Sequence, residues 1–499
     1  MKIKILSVLL VSLFFVISCD DYTEIEAPVK NATSGSANFS RFYSIGNSIT
    51  AGYQSGTIYQ SGQMYSYGNL IAQQVGTPYE IPYVSDPGLG GRMEVATLSP
   101  SFSIYTNPNK GTFLNSNYPL PYNNLGIPGI VLGDVFKTNT AESYSKSPYI
   151  DIILRGKGSP LSQVLSQAPT FITIWIGNND VLGYATSGGT SPAAPTDPTT
   201  QFGPLFGGLM QGLMQFKTQA NANFGVAIGN IPNVSAIPFF TTVGPQVATN
   251  PLVKWWQIRL IQQAGGLPAT GLIYASHEGG TNLGGLLPYK IGFADSTALL
   301  HSTTLMTLKG SSYAGLLGKP TGKFYRDNLY PALPLGIDTT KLFGFDPQNP
   351  FPDVFVLDPD EITTANNAVT AFNGIISNIV GLLNNDPNNP IPTCLVDINS
   401  VFNGIRAADF SGGTVYNGIN FKTTYVSGGL FSLDGVHPSS QAHGIIANEF
   451  IKAINTKFAA SIPLVDVSSI PGSLFFMNKV TYKQGYPIIP VDAFDHLLF

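Results

Sequence analysis

Apolar runs alternate with segments of helical spacing from Phe39 to Phe458, the pattern of a parallel sheet covered by helices. Phe171 to Ile176 is an unbroken apolar run between Pro169 and Gly177, which predicts a central strand buried on both faces. Val226 to Ile228 and Leu395 to Ile398 are shorter runs of the same kind, each following a helix-like segment. Tyr67, Leu70, Ile71 and Val75 keep helical spacing and stop at Gly76, a good C-cap residue. Asp358-Pro359-Asp360-Glu361 reads as a helix start, with Asp358 at the N-cap, Pro359 in the first turn and Glu361 completing a capping box. That helix is expected to bury Ile362, Val369, Ile375, Ile376 and Ile379. A last helix from about Ser439 or Ser440 would turn Ala442, Ile445, Ile446, Ile451 and Ile454 inward.

Two stretches interrupt this alternation. Residues 183–204, rich in Gly, Pro, Ser and Thr, predict a loop. Residues 238–352 contain Trp255, Trp256, His277 and His301 and are long enough to form a cap over a crevice. His277 beside Glu278 is expected to be a surface or turn pair. The chain shows no repeat period, heptad or Walker-type loop.

Only 11% of residues are charged, and 53 Gly and 37 Pro point to a surface of uncharged polar groups and long loops. A hydrophobic content of 43%, with 31 Phe, 23 Tyr and 3 Trp, is ample for a large core. At its start, Lys2 and Lys4 precede mainly apolar residues from Ile5 to Ile17, then Ser18-Cys19. That run is shorter than the about 20 apolar residues that span a bilayer. Residues 1–18 are therefore expected to be a lipoprotein signal, with Cys19 acylated as the first mature residue. Residues 19–38, beginning with the acidic stretch Asp20 to Glu26, then form a tether holding the protein off a membrane. Removing Lys2 and Lys4 with the signal moves the formal charge from −4 to −6, and neither value points to nucleic acid as a partner. Cys394 sits in an apolar setting and reads as a buried thiol, so no disulfide framework is expected. These features predict an exported lipoprotein of an outer membrane, and leave the periplasmic or surface face open.

Four short blocks carry chemistry: Gly46-Asn47-Ser48-Ile49-Thr50-Ala51-Gly52, the Gly129 of Leu125-Gly126-Ile127-Pro128-Gly129, Gly177-Asn178-Asn179-Asp180, and Asp434-Gly435-Val436-His437-Pro438. Each alone has an ordinary structural reading: a serine in a glycine turn, a close backbone passage, a helix cap, a solvated Asp-x-x-His. In this order they resemble the signature blocks of the SGNH hydrolases, the GDSL lipase/esterase family, in its long secreted lipoprotein form.

The resemblance implies a three-layer α/β/α, flavodoxin-like sandwich with a parallel sheet over residues 39–462, a large insertion, and a C-terminal extension over 463–499. It also implies a serine nucleophile at Ser48, a base at His437 and an orienting carboxylate at Asp434. An oxyanion hole would come from the backbone N–H groups of Ser48 and Gly129 and the side-chain amide of Asn179, each typically contributing roughly 3 kcal/mol. One departure stands out: the family usually carries Asp before the serine, where this chain has Asn47, a change that removes a charge but no triad member. The implied activity is hydrolysis of carboxylic esters, of lipid acyl groups or O-acetylated carbohydrate, with no metal or organic cofactor required. The alternative is a catalytically inactive surface lipoprotein that binds glycan or lipid. The 62 residues after His437 are fewer than eight strands of about ten residues need, so the tail is expected to be an extension packed on the globular domain and not the membrane barrel of an autotransporter.

Overall fold

The computed structural model describes residues 32–98, 102–250, 253, 271–282, 287–472 and 474–475. Cys19, Trp255 and Trp256 lie outside the described residues, as do the expected signal and most of the tether.

Five strands form one all-parallel sheet: β1 (Phe42–Gly46), β2 (Asn124–Gly126), β3 (Phe171–Trp175), β4 (Gly225–Gly229) and, after a long excursion, β5 (Thr393–Val396). Their spatial order is β5-β4-β3-β1-β2, so the winding reverses between β1 and β3, and the ends of those two strands bound the crevice where open sheets of this kind bind ligands. Strand alternation sorts side chains onto two cores. Phe42, Phe171, Trp175, Ala227, Cys394 and Val396 face one side, where α1 (Tyr67–Val75) and α6 (Ser440–Phe458) pack. Tyr43, Ile45, Leu125, Ile172, Ile174, Val226 and Ile228 face the other, against α2 (Asn179–Thr186), α3 (Gly203–Gln219) and α4 (Pro359–Asn385). The helix α5 (Ile398–Ala408) closes one end, with Ile398, Phe402 and Ile405 buried. The result is three layers, helix, sheet and helix, as the alternating pattern predicts.

Local signals set several boundaries as expected. Gly76 caps α1 in the left-handed conformation, at φ 67. The Asp358 carboxylate accepts from the N–H groups of Asp360 and Glu361, while Glu361 reaches back to the N–H of Asp358. Ser439 caps α6 by accepting from the N–H of Ala442. Other expectations need correction. The supposed loop at 183–204 is helical at both ends: α2 runs to Thr186, and Asp197 caps a wide turn at Pro198–Phe202 that leads into α3, leaving 187–197 irregular. Ile398 begins a helix instead of ending a strand, because the Asp397 side chain caps it. Ile362, Ile375 and Ile446 are half-buried, since α4 and α6 each turn a narrower stripe inward than their isoleucines suggest. The end of the tether is docked: Ser36 donates its N–H to the Phe458 carbonyl and Thr33 donates to Ser461 Oγ.

The insertion holds the antiparallel pair Leu272–Ser276 and Lys290–Ala294 with several short helices. It abuts the segment between Asp434 and His437, where the Phe239 N–H donates to the Gly435 carbonyl. The C-terminal extension packs on α6: Asn448 holds the Val465 carbonyl at 2.9 Å and Gln441 that of Ile470 at 3.0 Å. Among the described residues no helix is long and apolar enough to cross a membrane.

Candidate active site

Because all five strands run the same way, the segments leaving their carboxyl ends gather at one edge. Ser48 opens a four-residue helix directly after β1, and Asn47 caps that helix through an Oδ1 that accepts from the Ile49 N–H at 3.1 Å. The amide at position 47 thus does the capping a carboxylate would do, and its Nδ2 stays buried without a hydrogen-bond partner. Asn179 starts α2 after β3, and Gly129 follows β2 at φ 81, a backbone setting that side-chain-bearing residues avoid.

Asp434 and His437 sit on the loop entering α6. His437 Nε2 lies 2.8 Å from Ser48 Oγ, and its Nδ1 lies 3.0 Å from Asp434 Oδ2. All three are buried, at 4%, 2% and 0% exposure for Ser48, His437 and Asp434. The carboxylate is held in place by three more donors: the N–H groups of Gly56 at 3.1 Å, Val436 at 2.9 Å and His437 at 2.8 Å. Burial alone pushes the Asp434 carboxyl up, but the charge and hydrogen bond of His437, joined by these backbone donors, outweigh it and hold it below the usual range. Asp434 therefore stays ionised and keeps the imidazole oriented. Such a line of hydroxyl, imidazole and carboxylate can transfer a proton from oxygen to nitrogen as a bond to carbon forms.

The expected oxyanion donors lie around the same recess. The N–H groups of Ser48 and Gly129 make no hydrogen bond among the described residues. Asn179 Nδ2 donates one hydrogen to the Ile130 carbonyl at 2.9 Å, which fixes the amide and leaves its second hydrogen for a ligand. The recess, about 40 Å³, is lined by Asn47, Ser48, Asn179, Leu182, Pro232 and His437, among others. No described residue of 238–352 lines it, so the insertion buttresses the loop of Asp434 and His437 from the side.

Several neighbours were not legible in the four blocks. The Tyr53 ring packs on the His437 imidazole with centroids 4.6 Å apart, and Ser55 and Gly56 tie the turn after the serine helix to Ser432 and Asp434. Their only sequence signal is position, directly after the first block. Asp180 accepts from the Leu132 N–H at 2.8 Å and the Thr196 hydroxyl at 3.0 Å, joining the segment after Gly129 to α2; burial pushes it up to about 7. His443, wholly buried on α6, is driven down to about 3 by burial and by the charge of His437, so it stays neutral. Cys394 is a free buried thiol pushed up to about 12 by burial, in line with the sequence reading.

A second cavity, about 90 Å³ and apolar, shares Ile49, Pro232, Ile237 and Val436 with the recess and extends toward Phe402 and Ile446. Fold and site together define a mixed α/β protein with a buried serine–histidine–aspartate line at the carboxyl edge of a parallel sheet. Comparison of the chain with protein-family models and with curated proteins returns no match.

Proposed function

We propose that this protein is a serine esterase of the SGNH hydrolase type, with the flavodoxin-like form of the three-layer fold. The single observation that carries this reading is Ser48 Oγ at 2.8 Å from His437 Nε2, with Asp434 at 3.0 Å behind the ring. In the proposed reaction His437 takes the Ser48 proton as Oγ attacks an ester carbonyl. The oxygen that becomes negative is met by the N–H groups of Ser48 and Gly129 and by the Asn179 amide. His437 then protonates the leaving alcohol, and a water, activated by the same imidazole, releases the acid from the acyl-enzyme. None of these steps calls on a metal or organic cofactor.

The adjoining apolar cavity favours an acyl chain over an acetyl group as the acid part of the substrate, because each CH₂ buried there contributes about 0.8 kcal/mol. In the same reading Cys19 carries the lipid that anchors the exported protein to an outer membrane, and the substrate is a small-molecule or glycan ester. Labelling with a fluorophosphonate tests the core of the proposal, since it requires an activated serine. The wild-type chain should label stoichiometrically and Ser48→Ala should not. Equal labelling of both would refute it.

A further inference from the structure

Outside the recess, the structure gathers another set of titratable groups from three separate segments. His277 follows Leu272–Ser276 in the insertion, Asp353 opens a short turn, Glu361 lies in the first turn of α4, and Glu278 neighbours His277. His277 Nδ1 stands 3.0 Å from Asp353 Oδ2 and 3.2 Å from Glu361 Oε1, and all three donor atoms lie within 4.8 Å of one another. Glu278 Oε1 approaches the other ring nitrogen at 4.0 Å, while its Oε2 accepts from the Tyr184 hydroxyl of α2 at 3.1 Å. The sequence reading of His277 and Glu278 as a simple surface pair misses Asp353 and Glu361, which only folding brings to them.

Glu361 supplies an independent sign. Its residue is 0% exposed, its Oε2 caps α4, and its Oε1, aimed at the cluster, is buried without a hydrogen-bond partner. A buried acceptor oxygen with no hydrogen bond, whose one polar neighbour is the His277 Nδ1 at 3.2 Å, is unfavourable unless something more pairs with it. The irregular segment after α2 closes over the same atoms: at Gly189, with φ 69, a Cβ would stand 2.9 Å from the His277 ring and 3.0 Å from Glu361 Oε1.

We propose that His277, Asp353 and Glu361 form a binding site for a divalent transition-metal ion, with Zn²⁺ as the fitting case. One imidazole nitrogen with carboxylate oxygens is a donor set for such ions, whereas Ca²⁺ and Mg²⁺ favour oxygen alone. Bonds of about 2.1 Å at a tetrahedral angle place ligand atoms about 3.4 Å apart, close to the two nitrogen-to-oxygen separations here. Held there, the ion clamps the insertion to α4 and, through Glu278 and Tyr184, to the helix that begins at Asn179. This role is independent of the proposed ester chemistry.

The test uses the tag-free full-length chain, stripped with chelator and titrated with ZnCl₂ by calorimetry, with metal content measured after dialysis. The expected result is one equivalent of Zn²⁺ retained, a Tm rise of about 3 °C at a hundredfold excess over Kd, and visible d–d absorption on loading Co²⁺. His277→Ala and Glu361→Gln should each weaken Zn²⁺ at least 100-fold, while His301→Ala leaves it unchanged. Glu361→Gln keeps an amide oxygen for the Asp358 N–H, so loss of metal there is not loss of the helix cap. Absence of Zn²⁺ from the wild type, or full retention in both variants, would overturn the proposal.

Discussion

Replacing Asp434 by Asn is the sharpest probe of the proton path, because the structure fixes which way the new amide must point. The Asp434 carboxylate accepts on one oxygen from the Val436 and His437 N–H groups, at 2.9 and 2.8 Å, and on the other from the Gly56 N–H and His437 Nδ1, at 3.1 and 3.0 Å. If Asn keeps its oxygen toward the first pair, its NH₂ faces Gly56 and the imidazole. One backbone donor is then orphaned, at about 1–3 kcal/mol, and the imidazole escapes the clash by moving its proton to Nε2. The flipped amide would orphan two backbone donors, so the first arrangement wins. With the proton on Nε2, the atom 2.8 Å from Ser48 Oγ has no lone pair to accept from it. A wrong-tautomer base of this kind loses about 10⁴ in kcat, or about 5 kcal/mol, with KM little changed. Steady-state hydrolysis of p-nitrophenyl butyrate measures both constants, and circular dichroism and thermal melting report on the fold. A folded Asp434→Asn variant whose kcat stays within tenfold of wild type would refute this reasoning.

Asn179→Ala should lower kcat by about 10²–10³ with a small change in KM, since the amide is needed only as negative charge develops; a selective rise in KM would argue instead for a role in binding the ground state. Across p-nitrophenyl esters of increasing acyl length, kcat/KM should rise about fourfold per CH₂ until the cavity is filled, and Val401→Phe, which narrows that cavity, should flatten the trend while leaving acetate hydrolysis unchanged. A trend that peaks at acetate would point to deacetylation of carbohydrate. Asp180 has a folded pKa raised from 3.8 to about 7, so its neutral form stabilises the fold: that contribution is complete below about pH 4 and lost as pH rises through 7. Urea midpoints between pH 5 and 8 should therefore slope downward in wild type and less so in Asp180→Asn, and equal slopes would contradict the shift.

The elements that sequence reading placed well are those decided by neighbours along the chain. The capping box at Asp358 and Glu361, the left-handed cap at Gly76 and the buried run at Phe171 each depend on a few adjacent residues, and each stands where the pattern put it. The ends of 183–204 went astray because Asp197 and Pro198 start a helix in a stretch whose composition reads as loop. Residue types at Ser48, Gly129, Asn179, Asp434 and His437 were legible as candidates, but nothing in the chain states a distance.

Sequence by itself determined the alternation that makes a two-faced parallel sheet, the caps that start and stop its helices, and which side chains are available for chemistry. Tertiary structure alone decided that Ser48 and His437, 389 positions apart, stand 2.8 Å from each other, and that His277, Asp353 and Glu361 share one corner. The reason is range: capping and periodicity act over one or two turns of chain, whereas these meetings are set by how strands order in the sheet and how loops pack on its edge.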